Sequence, residues 1–247
     1  MSKARINFTV PAGWHELTDK QLLFVYKLLA ADFSADEIKL LCLLKWNRVD
    51  VVGRTDSGHH ILRLKKDFFE VTPLAMAELL PALDWLQQLP AFPVRLKKLH
   101  GGKALPADFS EVPFETFIIC DNLYQGYLAT HDESILESLG STLYNKSMRL
   151  KPHERISIFY WFASLKGWLA TKYADFLQPA AEAAAGNLLG TPSLDVEAAM
   201  NAQLRALTKG DVTKEAAVLA LDTHRALAEL NAQAREYKEL NSKLNKS

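Results

Sequence analysis

At 247 residues, with 49% hydrophobic and 23% charged side chains, the chain has the make-up of a globular protein and can hold a real core. Lys+Arg and Asp+Glu balance at 29 each, so no global field steers the molecule to nucleic acid or to an anionic membrane. A neutral protein of this kind tends to associate, which favours an assembly partner over a free monomer.

Ile6, Phe8 and Val10 alternate with Asn7 and Thr9, as in a short half-buried strand that Pro11 and Gly13 stop. Thr18 is placed to cap a helix running to about Ala31, with Leu22, Leu23, Val25, Tyr26 and Leu29 inward. A second, nearly all-apolar helix spans Asp36 to Trp46. Val49 to Lys66 reads as a hairpin turning at Arg54–Gly58. Thr72-Pro73 opens a helix to about Leu89, kinked by Pro81. Val94 to Leu99 reads as a further strand. The tetrapeptide Arg-Leu-Lys-Lys recurs at 63–66 and 95–98, which suggests two edge strands carrying outward lysines.

His100 to Pro113, with Gly101, Gly102, Pro106 and Pro113, reads as a linker. Helices follow over Phe114–Ala129, Glu133–Tyr144 and His153–Gln178. The last is apolar over most of its circumference, carrying Ile158, Trp161, Phe162, Leu165, Trp168 and Leu169. Ser157, Ser164, Thr171 and Gln178 leave one narrow polar stripe, so this helix is expected to be wrapped by the others. Lys166, Gly167, Lys172 and Asp175 interrupt it too often for a membrane span. The run Ala180–Ala185 ends at Gly186, and a short helix is expected over Leu194–Leu207.

A final helix is expected to begin near Asp211 or Thr213 and run almost to the C-terminus. Glu215, Asp222, Glu229 and Glu236 form an acidic stripe at seven-residue spacing, opposed by Thr223, Leu230, Tyr237 and Leu244. Ala220, Leu227, Ala234 and Asn241 flank that thin seam, which suits a helix laid on its own domain or a coiled coil equally. Leu227, Leu230, Tyr237 and Leu244 are therefore the expected partner-binding residues. Gly210 would act as a flexible joint, making residues 212–247 a tail that docks elsewhere and is dispensable for the body's folding.

Chemistry is harder to find. Gly53 and Gly58 have the spacing of a phosphate-binding loop, but His59 and His60 stand where lysine and serine or threonine are needed. Neighbouring strand residues point to opposite faces, so His59 and His60 cannot easily share a metal. Cys42 and Cys120 lie in apolar runs and read as buried thiols, and Cys120 has no identifiable base. Arg95, Lys97, Lys98 and Lys103 form a basic patch without the interleaved aromatics of a single-strand binder. No catalytic residue, cofactor or metal ligand is assigned. The opening MSKARINFTVPAG lacks the apolar run of a secretory signal, pointing to a cytoplasmic protein.

The segments Phe159–Leu177 and Leu204–Leu240 resemble uncharacterised helical proteins of prophage tail-morphogenesis clusters. The likeness rests on Leu207–Asp211, Val218–Leu221 and Ala226–Glu236, and covers roughly the C-terminal half. It implies a non-enzymatic role in tail assembly, such as chaperoning a tape-measure protein. Tail or tape-measure proteins would be the partners, with the protein in the host cytoplasm or incorporated in a virion. The alternative is an intracellular enzyme or nucleic-acid-binding factor with a site built from scattered residues. The expected fold is mainly α with a small β element, a helical bundle around a buried central helix. Its expected parts are an α+β region at 1–99, a linker at 100–113, a helical core at 114–210 and a C-terminal amphipathic helix at 211–247. A homo-oligomer is an open possibility; membrane and nucleic-acid partners are not expected.

Overall fold

The computed structural model describes residues 8–177 and 196–244, without the side chains of 196–200. The fold is mainly helical with small antiparallel sheets. It divides into two compact units: residues 1–90 with 151–157, and residues 91–150 with 158–247.

In the first unit, α1 (Asp19–Leu29) and α2 (Ala35–Trp46) each begin with a reciprocal capping box. Thr18 and Gln21 form one and Ser34 and Glu37 the other, so two orphan donors per helix are satisfied locally. Between Phe8 and Val10 no strand forms. The Asn47 side chain accepts from Thr9 N–H at 2.8 Å and donates to its carbonyl at 3.1 Å, meeting the hydrogen bonds a neighbouring strand would supply. Ile6 and Asn7 lie outside the described residues.

The hairpin gains a third strand. β1 (Val49–Arg54), β2 (His60–Leu64) and β3 (Asp67–Val71) form an antiparallel meander with β2 in the middle. Lys65 turns the chain in the left-handed region, so Arg63-Leu64-Lys65-Lys66 runs from the central strand into a turn and is not an edge. Arg63 instead pairs across the sheet with Asp50 at 2.8 Å. The helix expected over 72–89 splits into α3 (Pro73–Ala77) and a 3-10 stretch, Leu80–Gln87. Pro81 has no N–H to continue the α ladder, so its effect is a break and not a kink. Trp14 closes this unit's core, its indole donating to the carbonyls of Trp85 and Gln88 at 3.1 and 2.9 Å.

The second unit is built around α6 (Pro152–Lys172), whose first six residues count with the first unit. Ile158, Trp161, Phe162, Leu165 and Leu169 are fully buried. Phe162 lies about 6 Å from Phe109 and 5.3 Å from Tyr124. The ring of Trp161 meets Tyr144 edge-on, and its indole donates to the Ala107 carbonyl at 2.9 Å. The expected polar stripe is partly wrong: Ser157 and Ser164 are buried, their hydroxyls donating to the helix's own carbonyls at Glu154 and Trp161. Back-bonding of this kind lets serine sit in a core. The exposed side carries Gly167, Thr171 and Lys172. The helix ends at Lys172, with a single turn, α7 (Ala174–Leu177), after it; Gln178 and the Ala180–Gly186 stretch lie outside the described residues.

Residues 100–113, expected as a linker, lie inside this unit and bury Ala104, Phe109 and Val112. Of the strand expected over 94–99, only β4 (Lys98–Leu99) forms, pairing with β5 (Gly102–Lys103). A Cβ at Gly102 would sit 2.9 Å from the Tyr144 carbonyl oxygen, so only glycine lets the hairpin close there. α4 (Phe114–Thr130) and α5 (Glu133–Leu143) follow as expected, and α8 spans Val196–Thr208. The final helix is not continuous. After a 3-10 turn, Val212–Lys214, come α9 (Glu215–Leu219), a break, and α10 (Thr223–Leu244). None of the described helices is long and apolar enough to cross a membrane.

Candidate functional site

The break before α10 has a clear cause. Asp222 uses its carboxylate as an N-cap, accepting from Arg225 N–H at 3.1 Å and from Glu111 N–H at 2.7 Å. It is therefore a capping residue and no member of an acidic stripe. Beside it, Phe114 N–H donates to the Leu221 carbonyl, while the backbone N–H and hydroxyl of Thr223 both donate to the Val112 carbonyl. These bonds tie the start of α10 to the 111–114 segment.

His224 adds a second anchor. Its Nε2 lies 2.8 Å from the Asp108 carbonyl, which can only accept, so Nε2 carries the proton. Nδ1, at 2.9 Å from the Tyr173 hydroxyl, then accepts. The ring meets Trp168 edge-on at 5.6 Å. Burial pushes the Tyr173 hydroxyl up, with Asp222 adding to the effect. Burial also pushes the Asp108 carboxyl up, but hydrogen bonds from Ser110 and from its own backbone N–H, with His224 adding to them, together hold that group below its usual range. Every polar atom of the His224 ring is engaged in holding α10, so this is a structural histidine.

Farther along, Asn231 accepts from Phe176 N–H at 3.1 Å and Lys238 reaches Asp175 at 3.2 Å. The expected partner-binding residues then separate into two pairs. Leu227 and Leu230 are buried in their own unit, at 0% and 3% exposure, together with Thr223 and Ala226. Tyr237 and Leu244 stand out at 67% and 71%. Leu240, which the seven-residue pattern missed, joins them at 60%. Its spacing of three from Tyr237 and four from Leu244 puts it on the same helical stripe. From 235 to 244 every residue is exposed. The inner half of α10 is core; the outer half projects an apolar stripe into solvent.

The other motifs are structural. Gly53 to Gly58 lies on a strand and the turn after it, with Thr55 N–H and His59 carbonyl closing the turn at 2.9 Å. His59 lies 2.7 Å from Glu70, and no group of three metal-ligating side chains occurs among the described residues. Arg95 donates to the Leu105 carbonyl and lies over the Trp161 ring, so it belongs to the core's edge and not to a phosphate-binding patch. Burial pushes the Cys42 thiol up to about 12 and raises Cys120 as well, which makes both poor nucleophiles. A pocket of about 270 Å³ beside the end of α8 is lined by Leu204, Arg205, Thr208, Val212 and Glu215 among others, with the Thr208 hydroxyl donating to the Arg205 carbonyl at 3.4 Å.

The fold and the site thus define a mainly helical protein with an exposed apolar stripe along the outer half of its last described helix. Comparison with known proteins adds no relative: no family model, no curated protein and no solved structure matches the chain.

Proposed function

We propose that the protein is a non-enzymatic contact protein of phage-type tail assembly, working through the outer half of α10. The observation that carries the contact reading is the exposed stripe of Tyr237, Leu240 and Leu244 on a helix whose inner half is locked into the body. Ten exposed residues make a marginal helix in water, and large apolar groups on one face gain stability when another surface covers them. The assembly context comes from the resemblance of the C-terminal half to helical tail-cluster proteins. Co-expression of the full chain with a tape-measure protein tests it. A complex that keeps the tape-measure protein soluble, and is lost in Leu240→Glu, is the expected result. Aggregation of the tape-measure protein whether or not the full chain is present would refute the role.

A further inference from the structure

Resting on the contact reading, we propose that the immediate partner on the outer half of α10 is a second copy of the same chain, paired antiparallel. Three features of the helix select that occupant. The first is continuity: Thr223, Ala226, Leu230, Gln233, Tyr237, Leu240 and Leu244 follow one heptad seam along the helix. The body covers its inner members, and the exposed members continue the same line.

The second is charge. Glu236 and Lys243 are seven residues apart, on the same flank of the seam. In an antiparallel pair such flank positions meet their own kind from the other copy. Glu236 of each copy then faces Lys243 of the other, giving two symmetric ion pairs. A parallel pair brings Glu236 beside the uncharged Asn241 instead.

The third is register. Setting Tyr237 against Leu240 of the second copy also sets Gln233 against Leu244, so the overlap spans 233–244. That span takes in the exposed part of the helix. Sliding the copies one heptad deeper would drive Leu240 of the second copy against Leu230, which is already buried at 3%. With the proposed overlap, the facing residues 233–244 include none that the body buries. The contact is small beside a standard interface, so the dimer is a weak, concentration-dependent one.

Sedimentation equilibrium of the full chain over low to high micromolar concentrations tests the pairing, with circular dichroism to verify that each variant is folded. Glu236→Lys and Lys243→Glu should each weaken dimerisation about tenfold, since each turns two attractions into repulsions. The double variant E236K/K243E should restore it. Mixing the two single variants should give a heterodimer, because every facing pair is then complementary. A wild-type chain that stays monomeric, reversals that leave a dimer unchanged, or single variants that fail to pair on mixing would each overturn the proposal. A monomeric wild type whose L240E variant still loses the tape-measure protein would overturn self-pairing alone and leave the contact reading standing. A dimer that behaves as described but engages no tail protein supports the pairing and counts against the assembly role.

Discussion

Replacing Trp161 with alanine should cost about 3–5 kcal/mol of stability. The ring is fully buried on α6, against Tyr144 at 5.8 Å, with Arg95 over its face. An indole buries on the order of 200 Å², and at about 25 cal/mol per Å² that alone amounts to about 5 kcal/mol. Alanine recovers part of this through its own methyl group, while the cavity and the abandoned Ala107 carbonyl add to the loss. The hydrogen bond can be separated from the packing with Trp161→Phe, which keeps much of the apolar bulk and should cost distinctly less. Urea unfolding followed by circular dichroism gives both values. A cost below about 1 kcal/mol for Trp161→Ala, or a phenylalanine variant as damaging as alanine, would contradict this packing of the ring.

Other outcomes follow from the same packing. Gly102→Ala forces a Cβ to 2.9 Å from the Tyr144 carbonyl and should lower stability by about 1–3 kcal/mol in the same urea assay. Thr223→Val keeps the shape but loses the hydroxyl bond to Val112, costing about 0.5–1.5 kcal/mol with little change in helix content. Hydrogen bonds from Thr213, with Lys214 adding to them, hold the Asp211 carboxyl at about 2, below its ordinary 3.8. A depressed carboxylate stabilises the fold above its unfolded value, so the stability gap between wild type and Asp211→Ala should be full above pH 4 and close as pH falls towards 2. Both buried thiols should resist a thiol reagent in the native state and react on unfolding; rapid native labelling of either would contradict their burial.

The fold class and the start of the first helix were legible because their signals are local. Thr18 caps α1 as its place before the apolar run suggests, and the nearly all-round apolar surface of α6 marks it as buried. What stayed hidden depended on distant partners. Ser157 and Ser164 look polar in sequence, yet each satisfies its hydroxyl on its own helix and enters the core. Asp222 matched a seven-residue acidic pattern, and only the approach of Glu111 reveals it as a cap that interrupts the helix. Likewise Leu227, Leu230, Tyr237 and Leu244 share one amphipathic pattern, but which of them the body covers depends on segments far away in the chain. For that reason residues 212–247 are no dispensable tail: removing them would strip Thr223, Ala226, Leu227 and Leu230 from the core.

The most direct test of the account is to end the chain after Ala234 and measure its melting temperature and its binding to a tape-measure protein together. The expected result is a body that melts within about 4 °C of the full chain, because residues 235–244 are all exposed, together with a loss of binding. A collapse of the melting temperature, or binding that survives the truncation undiminished, would contradict it.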